Sequence, residues 1–262
     1  MSSLPPSFLG EPIVHRGMHD VPNGVQENSR PSFERAIKHG FGIELDLQMS
    51  SDGEAMVFHD YVLDRLTHAS GLIQKRTAAE LRDLKLKVGD DPILDLPEFL
   101  QLVNGQVPLL IEIKDQDGGI GPNVGRLENR VAELLANYKG DAVVMSFNPH
   151  SMAVMSEIAP DVPRGLTTCD FNAEFWPMLP RKRAEELAAI PDFDRVGACF
   201  ISHDHRLLDA APVAALKARG VPLLCWTVRS LEQEINARRL ADNITFEGYI
   251  PAKRSQPEDT DA

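Results

Sequence analysis

The sequence predicts an α/β protein folded as a (β/α)8 barrel with a small insertion after the second strand. Three observations predict it. Short apolar segments alternate with amphipathic helical stretches almost from end to end. Several of those segments are apolar without interruption, which suits strands covered on both faces of a parallel sheet. One neighbouring pair lies too close together for a helical crossover and must turn back on itself.

Taken in order, the strand candidates are PIVHRG (12–17), GIELDL (42–47), AMVFHD (55–60), PLLIEIK (108–114), AVVMSF (142–147), RGLTTC (164–169), ACFISH (198–203), PLLCWTV (222–228) and NITFEG (243–248). That is one strand more than a closed eight-stranded TIM-type barrel holds. Only QMSSDGE separates the second candidate from the third, and Ser51-Asp52-Gly53 is turn chemistry. We therefore read 42–60 as one barrel strand that passes the rim, turns at Asp52-Gly53 and returns carrying His59. Helix ends are also readable. Thr77 with Glu80, and Ser230 with Gln233, have capping-box spacing. Gly40 and Gly220 follow helical stretches where a left-handed residue is wanted, and His39 is a cation suited to the helix end before Gly40. Residues 61–96 are long and polar for a barrel connection and are expected to form a small excursion near the mouth. The domain expected is 1–252, with 253–262 as a mobile tail.

Composition narrows the function. The 262 residues carry 39 Asp plus Glu against 27 Lys plus Arg, a formal net charge of -12. Such a balance argues against nucleic acid or an anionic membrane surface as partner. With 43% hydrophobic and 25% charged residues the chain is not expected to be disordered. No apolar run approaches the roughly 20 residues of a bilayer span. The start, MSSLPPSFLGEP, lacks a basic region and is broken by prolines, so a cytoplasmic location is expected over secretion. Cys169, Cys199 and Cys225 fall in apolar segments and read as reduced thiols.

Reactive groups of such barrels gather at the carboxyl ends of the strands. The polar residues there are His15, Arg16, Glu44, Asp46, His59, Glu112, Lys114, Ser146, His203 and Trp226. Glu44 and Asp46 are spaced i, i+2 and share a face, as do Glu112 and Lys114. Two unit charges about 4 Å apart cost roughly 4 kcal/mol at an effective dielectric of ~20. Three converging carboxylates therefore need a positive partner, and all-oxygen ligands select one divalent cation, Mg2+ or Ca2+, with Mn2+ an option. Surface ion pairs are the alternative, weakened because each carboxylate sits inside an apolar strand. His15 and His59 supply the pair needed to take one proton and give another. Arg16 and Lys114 supply the donors that bind a phosphate, although Arg16 could instead bridge structural carboxylates. His203 is a further candidate for lining the pocket, whereas His19, His68, His150 and His205 read as loop residues.

The runs V-H-R-G (14–17), E-N-S (27–29), I-E-L-D (43–46), S-D-G (51–53), F-H-D (58–60), D-R-L-T (64–67), I-E-I-K (111–114) and C-W-T-V (225–228) resemble the glycerophosphodiester phosphodiesterase family over about residues 11–251. The resemblance implies a barrel with an insertion after its second strand. It implies an acid–base pair at His15 and His59, metal ligands at Glu44, Asp46 and Glu112, and phosphate donors at Arg16 and Lys114. It further implies a supporting role for Glu27 and Asn28, and hydrolysis of glycerophosphodiesters to sn-glycerol 3-phosphate and an alcohol. Trp226 and Phe147 are expected near the mouth, with a packed core aromatic as the alternative for Trp226. Two departures stand out. Ser29 replaces a commoner Thr, and Thr245 is followed by Phe-Glu-Gly-Tyr where a Thr-Asp-x-Pro segment is usual. The second is expected to touch the alcohol side of the pocket and not the chemistry. Competing readings are a lysophospholipase D-type hydrolase, which would need an apolar groove near Trp226, Phe147 and 61–96, and a catalytically silent phosphate-binding barrel. A metal-dependent aldolase would explain the carboxylates but not the histidines.

Overall fold

Each apolar segment read above becomes a strand in the computed structural model, which describes residues 3–251. In chain order the strands are β1 (Ile13–Val14), β2 (Gly42–Met49), β3 (Ala55–Val57), β4 (Leu109–Ile113), β5 (Ala142–Ser146), β6 (Arg164–Thr168), β7 (Phe200–Asp204), β8 (Leu223–Val228) and β9 (Asn243–Phe246). The helices are α1 (Arg30–His39), α2 (Ala78–Asp83), α3 (Leu96–Val103), α4 (Arg126–Leu135), α5 (Pro149–Ile158), α6 (Arg181–Ala188), α7 (Ala211–Ala218) and α8 (Leu231–Ala237). All strands but β3 run parallel in the order β1-β9-β8-β7-β6-β5-β4-β2, and β1 pairs with β2 to close the ring. Strand β3 folds back antiparallel on β2, Leu47 opposite Val57 and Met49 opposite Ala55, so the ninth segment is the returning arm of a hairpin. The expected tail, 253–262, lies outside the described residues. Among those residues no helix is long and apolar enough to cross a membrane.

Strand alternation explains where the core and the site divide. On β2, Ile43, Leu45 and Leu47 face the helices and pack in one buried cluster with Phe33, Ala36 and Phe99. The alternate positions, Glu44 and Asp46, face the lumen. Lower in the lumen Ile13, Leu110, Val143, Phe200 and Leu224 form an apolar layer, which Leu4 and Phe8 of the N-terminal segment plug from below. Gly165 leaves room for this layer: a Cβ there would stand 2.5 Å from the Phe200 ring. Charged residues are thus confined to the upper lumen, above a closed apolar floor.

The excursion after β3 has a small core of its own, including Met56, Phe58, Leu66, Ile73, Leu81 and Ile93. The Thr77 side chain accepts from the Glu80 N–H, and Glu80 accepts from the Thr77 N–H at 2.8 Å, completing the capping box of α2. At α8 only half the box forms. Ser230 accepts from the Gln233 N–H, but Gln233 Oε1 accepts from the Arg229 N–H at 2.7 Å instead of reaching Ser230. Gly40 caps α1 at φ 72°, as its position after a helical stretch predicts. The three cysteines are unpaired, and burial raises the Cys169 and Cys225 thiols to about 12, which keeps both protonated.

Candidate active site

Register brings the carboxylates together. Strands β2 and β4 are parallel neighbours with Asp46 opposite Glu112, and Glu44 lies two residues before Asp46 on the same face. Each of the three offers an oxygen within 4.8 Å of the others. They are 2%, 1% and 7% exposed in the order Glu44, Asp46, Glu112. Burial, and then the charges of Asp46 and Glu112, push the Glu44 carboxyl well above the usual carboxylate range. Burial acts in the same direction on Asp46, but Lys114 and Arg16 overcome it and hold that carboxylate far below its usual range. Lys114 Nζ is 2.7 Å from Glu112 Oε1 and 3.2 Å from Asp46 Oδ1. Arg16 Nε is 3.1 Å from Asp46 Oδ2, while its Nη1 is 2.8 Å from Glu27 Oε1. Arg16 therefore does bridge two carboxylates, and it also lines the cleft above them.

The V-H-R-G run is shaped for this contact. Arg16 has φ 55° and Gly17 φ 75°, so the chain turns through two left-handed residues in succession. The turn aims the Arg16 N–H at Glu44 Oε2, 3.0 Å away, and exposes the Arg16 carbonyl to the Asn28 N–H at 2.8 Å. Asn28 in turn donates its side-chain N–H to Asp46 Oδ2 at 3.0 Å. Glu27 and Asn28 thus sit beneath the cluster, one on Arg16 and one on Asp46.

An all-oxygen donor set of this size fits Mg2+, Ca2+ or Mn2+. Two of the three negative charges face Arg16 or Lys114; the third is answered by a proton on Glu44 or by a cation. Sign follows from the raised Glu44. The metal-free protein loses stability as pH rises from the ordinary Glu value to that raised one, above which it holds an uncompensated buried carboxylate, and a bound cation removes the loss. We expect Mg2+ or Ca2+ to raise the melting temperature more at neutral than at acid pH, read by thermal unfolding with and without chelator. A rise of equal size at both would take Glu44 out of the ligand set.

Both histidines reach the same cleft, a cavity of about 1000 Å³ that Arg16, Glu44, Glu112 and Lys114 also line. His15, directly after β1, hydrogen-bonds through Nδ1 to Glu247 Oε2, and its Nε2 is 4.0 Å from Glu44 Oε2. Burial, helped by the Arg16 charge, lowers the His15 pKa to about 4, so the ring is neutral at neutral pH. His59 follows β3, and its Nδ1 is 2.7 Å from Asp60 Oδ1. Arg65 Nε donates to Asp60 Oδ2 at 2.7 Å, and the same guanidinium donates twice to Glu27 at 2.8 Å. A continuous ion chain therefore runs from His59 through Asp60, Arg65, Glu27 and Arg16 to Asp46.

Phe147 and Trp226 line the same cleft. Phe147 packs on Trp176 at 5.0 Å and on Trp226 at 5.5 Å between centroids, and Trp226 Nε1 donates to the Ser202 carbonyl at 3.0 Å. His203 departs from expectation. It is 2% exposed, its Nδ1 pairs with Thr168 Oγ1 at 2.7 Å, and it does not line the cleft. Its neighbour Asp204 does, because alternation turns Ser202 and Asp204 into the lumen and His203 out of it. The Thr245-Phe-Glu-Gly-Tyr departure also acts elsewhere than expected, since its Glu247 touches His15. The contact follows from register: β1 pairs with β9, Val14 opposite Phe246, so the next residues meet. Arg65 stands inside the D-R-L-T run.

A closed (β/α)8 ring that gathers two histidines, Arg16, Lys114 and three carboxylates at its open end has the kinds of side chain that a phosphoric-ester hydrolase requires. Comparison with known proteins makes the assignment specific. The sequence profile described as the Glycerophosphoryl diester phosphodiesterase family matches residues 15–244, and the chain belongs to that family. A glycerophosphodiester phosphodiesterase of Caldanaerobacter subterraneus subsp. tengcongensis is 31% identical over 231 residues, 82% of this chain and 84% of that one. The fold is similar to that of an Oleispira antarctica phosphodiesterase solved with the product sn-glycerol-3-phosphate, with TM-score 0.74 and 22% identity over 92% of this chain and 94% of the other. It is also similar to a glycerophosphodiester phosphodiesterase of Thermotoga maritima, with TM-score 0.66 and 20% identity over 89% and 93%.

Proposed function

We propose that this protein hydrolyses glycerophosphodiesters to sn-glycerol 3-phosphate and a free alcohol, by acid–base catalysis from His15 and His59 at a divalent cation site. The observation that carries the reading is the single cleft shared by both histidines, Arg16, Lys114, Glu44 and Glu112. Family membership and the product named for the Oleispira enzyme support it.

Glu44, Asp46 and Glu112 would hold the cation, which supplies charge neutralisation at the phosphoryl oxygens and acidifies the glycerol 2-hydroxyl. Neutral His15, its Nδ1 proton on Glu247, keeps an Nε2 lone pair and takes the hydroxyl proton. The 2-oxygen attacks phosphorus within the same molecule, which in well-oriented cases is worth ~7–11 kcal/mol. His59 gives a proton to the departing alcohol. A cyclic phosphate results, and water opens it with the roles reversed. Arg16 and Lys114 meet the charge that builds on the phosphoryl oxygens.

The test is a phosphodiesterase assay on several glycerophosphodiesters, coupled to detection of glycerol 3-phosphate, with and without divalent ion. Turnover that requires the ion is expected, and a 2-deoxy substrate should not turn over. Hydrolysis of the 2-deoxy compound at the normal rate would replace internal attack by direct attack of water. Absence of turnover on every diester would sink the reading itself.

One observation favours a second substrate class. The cleft also carries an apolar lining of Phe147, Trp176 and Trp226, with Tyr61 and Val62 from the excursion. At its edge Phe175 and Met178 are 62% and 84% exposed. Such a lining suits a diester bearing a single acyl chain, the groove a lysophospholipase D-type activity needs. A lysophospholipid arm of the same assay decides it.

A further inference from the structure

The two candidate catalytic histidines are held alike by unrelated parts of the chain. His59 Nδ1 bonds to Asp60, whose other oxygen accepts from Arg65 Nε at 2.7 Å. His15 Nδ1 bonds to Glu247 Oε2, and Glu247 Oε1 accepts from Arg229 Nε at 2.7 Å. In each case a carboxylate held by a guanidinium presents an oxygen to the Nδ1 edge of an imidazole; Arg65 grips both Asp60 oxygens, its Nη2 reaching Oδ1 at 2.8 Å, whereas Arg229 holds Glu247 on the oxygen that His15 does not use. The backbone is fixed on both sides of the His15 contact: the His15 N–H donates to the Phe246 carbonyl at 2.8 Å, and the Glu247 N–H to the Val228 carbonyl at 3.0 Å. His19 Nε2 approaches the same Glu247 oxygen at 3.5 Å. Glu247 thus receives donors on both oxygens and has little freedom to leave His15.

A ring nitrogen bonded to a carboxylate must carry the proton, which leaves the other nitrogen with the lone pair. We propose that Glu247, held by Arg229, is a positioning residue that keeps His15 in the Nδ1–H tautomer with Nε2 free to accept a proton. The inference rests on the reading of His15 as the proton acceptor. It differs from a clamp between the ends of β1 and β9, which would need the ion pair but would not care which nitrogen is protonated.

Glu247→Gln separates the two. The Gln carbonyl oxygen is drawn to Arg229, whose Nε can only donate. Its NH2 then faces His15 Nδ1, which must accept, and the ring proton moves to Nε2. Wild-type His15 should show the Nδ1–H pattern in long-range ¹⁵N NMR of the imidazole, and the Gln variant the Nε2–H pattern. Turnover should fall about 10²–10⁴-fold through kcat with KM nearly unchanged, because the ring is present in the wrong tautomer. Glu247→Asp keeps the charge and should recover part of kcat. In a His15→Asn background, Glu247→Gln should have no further effect.

An Nε2–H tautomer in the wild-type protein overturns the proposal whether or not any variant folds. So does a Gln variant whose kcat stays within threefold of wild type, or a loss of equal size in the His15→Asn background. The NMR readout does not depend on the substrate. A protein with no turnover on any diester would remove the proposed function while still testing this contact.

Discussion

Replacing His15 by Asn should lower kcat by about 10²–10⁴-fold, the usual worth of a positioned acid or base, while leaving the barrel folded. His59→Asn should do the same on natural diesters. The two losses should part company when the leaving group changes. A nitrophenolate departs without needing a proton, so His59→Asn should recover most of its activity on a nitrophenyl diester. His15→Asn should not, because the attacking hydroxyl must still lose its proton. The lone pair that His15 keeps at neutral pH, with its pKa lowered to about 4 by burial and then by Arg16, is the physical reason for that asymmetry. Near-normal turnover in either variant on natural substrate would end the two-histidine scheme, and recovery by His15→Asn instead would exchange the roles. The double variant should be little worse than the weaker single one, since residues acting on one reaction path are not additive.

Asp46→Asn should have an effect of comparable size, and on stability as well. Asp46 meets positive charge on both oxygens: Lys114 Nζ lies 3.2 Å from Oδ1 and Arg16 Nε 3.1 Å from Oδ2, while Asn28 Nδ2 donates a hydrogen bond to Oδ2. A carboxamide has one acceptor oxygen and one NH2. Whichever way it turns, the NH2 faces a buried donor. Stranding such a group costs about 1–3 kcal/mol, and more when it is charged. A loss of roughly 3 kcal/mol would lower the melting temperature by about 6–12 °C in a chain of this size. Loss of one cation ligand should cut turnover a further ~10²–10³-fold, corresponding to several kcal/mol of charge stabilisation. Thermal unfolding and calorimetric titration with Mg2+ or Ca2+ measure the two parts separately. Unchanged stability would mean that the donors around Asp46 find other partners; unchanged cation affinity would remove it from the ligand set.

Much of this was legible in the residues. Continuous apolar strands, the seven residues between GIELDL and AMVFHD, and the i, i+2 pairs Glu44–Asp46 and Glu112–Lys114 point to the ring, the hairpin and the charged rim. They do so because strand alternation and turn chemistry act over a few residues. Other features were not legible in that way. His203 and Asp204 are adjacent, and which of them enters the lumen depends on the register of β7 against its neighbours. Arg65 stands in the D-R-L-T run of a polar excursion, and only the fold lays it between Asp60 and Glu27.

The sequence alone determined the barrel, its hairpin and the kinds of side chain at its open end, since each follows from local periodicity. Tertiary structure alone decided how those side chains are charged and aimed. His15 and Glu247 lie 232 positions apart and meet only because the last strand closes against the first. The Glu44 carboxyl is raised, and that of Asp46 lowered, only because the closed ring buries both while placing Arg16 and Lys114 closer to one than to the other.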